Sequence, residues 1–206
     1  TFLSDGVINK IAKILYKSAF KSGTKFVFQN SDDKKLFEVL GICPPNKTVL
    51  IKGSGIDTSF FKPLSKTQES LNLVFLFVGR LLYDKGVSEL FEASRILKEK
   101  FKNTEVWVLG EIDEGNPTAV NKLEVEQIQK EGIIKYLGTS NDVRSIMQNA
   151  DVVVLPSYRE GLPRVMLESL AMAKAIITTD VAGCREVVLD NINGFMVPAK
   201  DTNALS

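Results

Sequence analysis

Hydrophobic and polar positions along the chain fall into two textures, with the change near residue 73. From there on, short continuous apolar runs alternate with stretches of helical period. Leu73-Val74-Phe75-Leu76-Phe77-Val78 is apolar throughout and stops at Gly79, as a parallel strand buried on both faces does. Val87, Leu90, Phe91, Ser94, Leu97 and Phe101 recur at three- and four-residue steps, which predicts a helix over 87–101 with these side chains on one face. The alternation continues with a strand over 105–109, a polar loop holding Asn116-Pro117, and a helix over 118–130. A strand over 133–137, a helix over 142–149 and a strand over 151–155 follow. The last predicted elements are a helix with Pro163 in its first turn, a strand over 176–179, a short helix near Glu186 and a strand over 195–197. Residues 201–206 read as the start of one more helix, which with the opening at Thr1 suggests a fragment cut at both ends.

Strand–helix repetition of this kind requires right-handed crossovers, hence an α/β fold with a parallel sheet and helices on both faces. Ligands in such sheets bind beyond the carboxyl ends of the strands. Those ends are Gly79-Arg80, Gly110, Gly138-Thr139, 156–161 and 180–183.

Residues 1–52 differ. A basic helix over 8–21 precedes a strand over 25–28. A second helix starts at Ser31, whose hydroxyl is expected to cap it, with Asp32 and Asp33 in the first turn. A strand over 48–51 closes the segment. One crossover is too little for a core, so 1–52 reads as the end of an N-terminal domain. Residues 53–72, with Gly53-Ser54-Gly55 and a polar stretch, read as a hinge, and 73–206 as the main domain.

Charge and composition narrow the classes. Twenty-six basic against 25 acidic side chains give +1, without the basic excess of a nucleic-acid binder. A local basic row, Lys10, Lys13, Lys17 and Lys21, lies on one helical face. The chain has no histidine, which excludes Ser-His-Asp and Cys-His chemistry and His-ligated zinc. Cys43 and Cys184 form no CxxC pair, so a reducing cytoplasm is the default. No apolar stretch approaches the ~18 residues of a membrane span. Neither GxGxxG after the first strand nor GxxxxGK[ST] occurs, which leaves a dehydrogenase or P-loop reading without support.

Four features gather on the expected binding edge. Gly79-Arg80, with Lys85-Gly86 at a helix start, offers two cations and unpaired amides to an anion such as a diphosphate. Two solvated surface cations beside a cap are the plainer reading, at about even odds. Ser157-Tyr158-Arg159-Glu160-Gly161-Leu162-Pro163 lies between a strand and a helix, and Gly161 allows close backbone approach. Glu160 and Glu168 are too far apart to share a proton, since eight helical residues rise ~12 Å. Glu168 on the helix suits two vicinal hydroxyls, or a salt bridge to Arg164. Ala182-Gly183-Cys184-Arg185-Glu186 is a tight turn into a helix start, more simply turn chemistry than a site.

Taken in order, Gly79-Arg80 with Lys85-Gly86, Pro156-Ser157, Glu160-Gly161-Leu162-Pro163 through Glu168, and Gly183 with Glu186 resemble the donor-side signature of group 1 (GT4-type) retaining glycosyltransferases of GT-B fold. Asn193 to Pro198 resembles a further segment of that family. Residues 24–62, with Asn30, Asp32, Gly55, Asp57, Phe61 and Pro63, look like the end of its acceptor domain and hinge. Tyr158-Arg159-Glu160-Gly161-Leu162-Pro163-Arg164 and Gly183-Cys184-Arg185-Glu186 look more narrowly like enzymes that extend undecaprenyl-diphosphate-linked oligosaccharides. The resemblance implies a nucleotide-sugar donor, commonly UDP-linked, a saccharide acceptor that can be lipid-linked, and no other cofactor. It also implies action in the cytoplasm or at the inner face of the membrane, with peripheral contact. It places the diphosphate at Gly79, Arg80 and Lys85 and the ribose at Glu168. The donor sugar falls at Glu160, Gly161 and Leu162, and the base beside Tyr136, Leu137 and Gly138. Glu160, Arg80 and Lys85 are then the catalytic set. No metal is expected, because no Asp-x-Asp occurs and cations already serve the diphosphate.

The chain departs from the family pattern at two places. Ala173-Lys174-Ala175 stands where Gly-x-Pro is common, so Ala173 is expected in a left-handed conformation at ~1 kcal/mol. Ala182-Gly183 replaces two glycines, which weakens a ligand contact there. A nucleotide-sugar epimerase of the same fold, a non-catalytic nucleotide-sugar-binding module and a sucrose-type synthase with a soluble acceptor remain alternatives.

Overall fold

The computed structural model describes residues 7–67 and 71–206. The chain divides into two compact units, Thr1–Ser54 and Gly55–Ser206.

In the first unit, helix α1 (Val7–Ser22), strand β1 (Phe26–Phe28), helix α2 (Ser31–Val39) and strand β2 (Thr48–Leu50) follow one another. β1 and β2 pair in parallel, with Val27 opposite Val49. Phe28, Phe37 and Ile42 form a small core against Phe20, Phe26, Leu40 and Leu50. The rings meet edge to face, Phe20 and Phe26 with centroids 4.0 Å apart, a favoured arrangement for their quadrupoles. The cap of α2 is Asn30 rather than Ser31: its Oδ1 accepts the Asp33 amide at 2.7 Å. Asn30 is extended and stands one residue before the helix, where a short side-chain acceptor reaches the third helical amide.

The second unit is a six-stranded, fully parallel sheet in the order β5-β4-β3-β6-β7-β8. Its strands are β3 (Leu73–Val78), β4 (Thr104–Leu109), β5 (Lys135–Tyr136), β6 (Val152–Leu155), β7 (Ala175–Thr179) and β8 (Gly194–Val197). Its helices are α3 (Val87–Lys100), α4 (Lys122–Lys130), α5 (Val143–Met147), α6 (Arg164–Ala171) and α7 (Thr202–Leu205). The alternation along β3 explains the two-sided core. Phe77 joins Val87, Leu90, Phe91, Val125 and Ile128 in one cluster, while Val74 and Leu76 join Met147, Ala150 and Met172 in another. Successive strand residues point to opposite faces, so an unbroken apolar run supplies both layers.

Some boundaries differ from those the sequence predicts, for local reasons. α4 begins at Lys122, because the Asn121 side chain accepts the Leu123 amide at 2.8 Å. The three residues before Asn121 are used otherwise: the Thr118 carbonyl accepts the Tyr83 amide at 2.7 Å, Ala119 bridges to Leu82, and the Val120 amide donates to the Leu81 carbonyl at 3.0 Å. The strand expected over 133–137 shortens to β5. α3 ends at Lys100; Phe101 turns extended and is 56% exposed rather than on the buried face. Pro163 is the extended residue before α6, not part of its first turn. Within 53–72, Phe61 and Leu64 pack on the second core, and the Thr67 amide donates to Asn149 Oδ1 at 2.9 Å. Ala173 takes φ 56°, as its place in the motif predicts.

Candidate functional site

The order of the sheet decides where a ligand can sit. β4 and β5 extend from one side of β3, and β6, β7 and β8 extend from the other. The direction of winding therefore reverses between β3 and β6, which pair Phe75 with Val152 and Leu76 with Val153. At such a switch point the connections leave on opposite faces and open a crevice beyond the carboxyl ends. The chain leaves β3 into Gly79-Arg80 and leaves β6 into 156–163, the two segments that the sequence marks out.

Backbone packing draws four turns to this edge. Gly86 has φ 72°, and a Cβ there would lie 2.0 Å from the Pro156 carbonyl oxygen. The turn holding Lys85 is thus pressed against the start of the 156–163 loop. Gly110, at φ 155°, would place a Cβ 1.8 Å from the Gly79 carbonyl oxygen. Gly183, at φ 83°, would place one 2.6 Å from the carbonyl oxygens of both Glu160 and Gly161. The turn after β7, read in the sequence as turn chemistry, is a support under the loop that carries Glu160.

The charged side chains are already engaged. Lys85 Nζ pairs with Glu160 Oε1 at 2.6 Å, both side chains being largely shielded from solvent. Sequence reading places these two groups on different parts of a donor; the fold brings them together from 75 residues apart. Arg80 Nη1 pairs with Asp113 Oδ2 at 3.0 Å on a more exposed rim, a contact without a sequence signal. No side chain caps the N-terminus of α6 or of α3. Amides at both helix starts therefore lack the usual side-chain acceptor.

Glu168, on α6, keeps only 15% of its side-chain surface exposed, and Arg164 Nη2 stands 3.9 Å from its Oε1. Burial pushes its carboxyl above the ordinary range, with Arg164 opposing only in part. A carboxyl whose folded pKa is raised favours folding while protonated, and that contribution is lost as pH rises through the folded pKa. Glu168→Gln should therefore raise the melting temperature at pH 7. The gain should fade on acidification below the ordinary carboxylate range. Thermal unfolding at several pH values checks this; an equal gain at all pH values contradicts it.

On the other flank, the Tyr136 hydroxyl donates to the Gly110 carbonyl at 2.9 Å, and the Gly110 amide donates to the Gly138 carbonyl at 2.7 Å. Burial and the neighbouring Glu111 charge raise the Tyr136 phenol, which stays a donor. Tyr136 and Gly138 line a cleft with Glu111, Lys122, Glu126 and Gln129. Leu137 turns instead to the second core cluster. Cys184 is fully buried beside Thr178, and burial pushes its thiol up to about 11, so it stays a protonated core group. Among the described residues no group of His, Cys, Asp and Glu could hold a metal ion, and no helix is long and apolar enough to cross a membrane.

Comparison with known proteins places the chain in a family. The description "Glycosyl transferases group 1" matches residues 58–206. The N,N'-diacetylbacillosaminyl-diphospho-undecaprenol alpha-1,3-N-acetylgalactosaminyltransferase of Campylobacter jejuni is 32% identical over 97% of this chain and 54% of its own length. The capsular polysaccharide biosynthesis glycosyltransferase CapM of Staphylococcus aureus is 32% identical over 66% of this chain and 35% of its own. The chain thus spans about half the length of the first of these relatives and about a third of the second. In three dimensions, HepE of Anabaena in complex with UDP superposes with a TM-score of 0.82 at 21% identity, over 99% of this chain and 58% of that one. Sucrose-phosphate synthase of Thermosynechococcus elongatus gives 0.82 at 19% identity, over 99% and 53%. The fold is the GT-B type expected from the motifs, and the chain belongs to the group 1 glycosyltransferases.

Proposed function

We propose that this chain binds a nucleotide sugar, most simply a UDP-sugar, and serves a retaining hexosyl or N-acetylhexosaminyl transfer in the assembly of a bacterial surface glycan. The observation that carries the reading is the Lys85–Glu160 pair, 2.6 Å apart, in loops that flank the switch point of the sheet. A donor entering there meets a cation for its diphosphate and a carboxylate for its sugar. Arg80, on the rim, adds a second cation by exchanging Asp113 for phosphate. Glu168 is held above its ordinary pKa by burial, and ribose hydroxyls would supply the donors its carboxylate lacks. Gly161 and Leu162 line the sugar side, and Tyr136 and Gly138 border the base.

Departure of the nucleoside diphosphate leaves negative charge on the phosphates and positive character on the sugar. Lys85 and the uncapped helix starts stand at the crevice before that charge appears, the condition under which electrostatic stabilisation is strongest, and Arg80 joins them once phosphate replaces Asp113. HepE has been solved with UDP, and the Campylobacter relative is named for a diphospho-undecaprenol acceptor; both support a UDP-sugar donor and a lipid-linked saccharide acceptor. We assign residues 1–52 to the acceptor-side domain and 53–72 to the hinge. α1 exposes Val7, Ile8, Ile11, Ile14 and Leu15, close in sequence to Lys10, Lys13 and Lys17. That face suits either further acceptor-side structure or the surface of an anionic membrane at the cytoplasmic side.

Calorimetry on the 206-residue chain with UDP-, GDP- and ADP-sugars tests the donor reading. UDP-sugar binding should appear in the wild type, weaken in Arg80→Ala and Glu168→Ala, and persist in EDTA. Equal affinity in all three proteins contradicts the site assignment. Affinity lost in chelator and restored by Mn²⁺ contradicts the metal-free reading.

A further inference from the structure

The loop that carries Glu160 is anchored by a residue that none of the donor contacts explains. The Tyr158 hydroxyl lies 2.7 Å from each carboxylate oxygen of Glu89, so its one proton is shared between both acceptors. Its backbone amide donates to the Asp84 carbonyl at 2.9 Å, one residue before Lys85. The neighbouring Ser157 hydroxyl reaches the same carbonyl at 3.3 Å. Lys200 Nζ stands over the Tyr158 ring, 4.7 Å from its centroid. Lys200 itself is a non-glycine residue at φ 64°, a conformation that surrounding contacts must maintain. Three separate parts of the chain thus converge on one residue two positions before Glu160: the first turn of α3 and the turn after β8 on its side chain, and the turn before α3 on its backbone amide. Burial and the Glu89 charge raise the phenol, which keeps it protonated as the donor this arrangement needs.

We propose that Tyr158 is a positioning residue: its bonds to Glu89 and Asp84, under the Lys200 ammonium, hold the 156–163 loop so that Glu160 faces Lys85. Loss of the hydroxyl leaves the Lys85 turn in place, because the Tyr158 amide still donates to the Asp84 carbonyl and the Lys85 amide to the Leu82 carbonyl, each at 2.9 Å. The group that moves when the anchor is lost is Glu160, and with it the grip on the donor sugar rather than on the diphosphate. The inference rests on the donor reading above, in which Glu160 meets the sugar.

The test is a set of calorimetric affinities for UDP, UDP-N-acetylgalactosamine and UDP-glucose, with melting temperatures recorded for each protein. Tyr158→Phe keeps the ring and removes the hydroxyl. It should leave UDP affinity within about twofold and weaken the UDP-sugar that the wild type prefers by roughly fivefold to tenfold, the scale of one ordinary hydrogen bond, because the lost bond positions Glu160 and does not itself touch the donor. Glu89→Leu should reproduce this from the other side of the bond. In a Glu160→Gln background, Tyr158→Phe should add less than about twofold, because the group it positions has lost its charge. Equal weakening of UDP and UDP-sugar, or full additivity with Glu160→Gln, would overturn the proposal. A wild type that binds neither UDP nor either UDP-sugar counts first against the donor reading, and is told apart because every variant is then equally silent.

Discussion

Lys85→Ala is expected to weaken UDP binding by about 100-fold, close to 3 kcal/mol. Two effects act in the same direction. The first is loss of a charge-assisted contact to phosphate, worth ~1.5–3 kcal/mol when the partner is charged. The second follows from the pairing of Lys85 with Glu160 at 2.6 Å. Without the ammonium, the Glu160 carboxylate, only 11% exposed, faces the incoming diphosphate as a like charge. Glu160→Gln separates the two contributions. It releases Lys85 from its internal partner and removes the like charge, so UDP should bind at least as well as to the wild type while the UDP-sugar loses affinity. Calorimetry on the two variants and the wild type decides the matter. Lys85→Ala binding UDP within about threefold of wild type would remove Lys85 from the diphosphate site, since a phosphate-bound cation cannot be worth so little.

The strands of the second unit are legible in the sequence because burial on both faces leaves unbroken apolar runs, as in Leu73 to Val78. The site loops are legible because Gly79 follows a strand end, Gly86 precedes a helix, and Gly161 lies between a strand and a helix. The side on which each strand is added, and hence the switch point, depends on long-range pairing that local periodicity does not encode. The contacts between Lys85 and Glu160, Arg80 and Asp113, and Tyr158 and Glu89 join residues 75, 33 and 69 positions apart. Nothing local distinguishes such partners from other surface charges. Asn121 is a different case: an asparagine ahead of Lys-Leu-Glu is a cap signal, and it would have placed the start of α4 correctly. Gly183 carries no such signal, since its local pattern is that of any turn. Its close approach to Glu160 and Gly161 exists only once β7 lies beside β6.

Gly86→Ala should destabilise the second unit by about 3 kcal/mol or more and remove UDP binding in the fraction that still folds. The left-handed backbone at φ 72° costs a non-glycine residue ~1–2 kcal/mol. The Cβ would meet the Pro156 carbonyl oxygen at 2.0 Å and its carbon at 2.7 Å, and backbone atoms cannot swing aside as a side-chain tip can. Relieving that overlap moves one loop off the other, at the ~1–3 kcal/mol typical of forced overpacking. The displaced parts carry Lys85 on one side and the 156–163 loop on the other, so the strain falls on the anion site. Gly132 provides the control within the same unit. It has the same φ, 72°, at the end of α4, with nothing within 4 Å of its would-be Cβ. Gly132→Ala should therefore show the backbone cost alone, with UDP affinity intact. Chemical denaturation and calorimetry on both variants measure the difference. If the two substitutions cost the same and both leave UDP binding unchanged, the contact between the Lys85 turn and Pro156 does not shape the site.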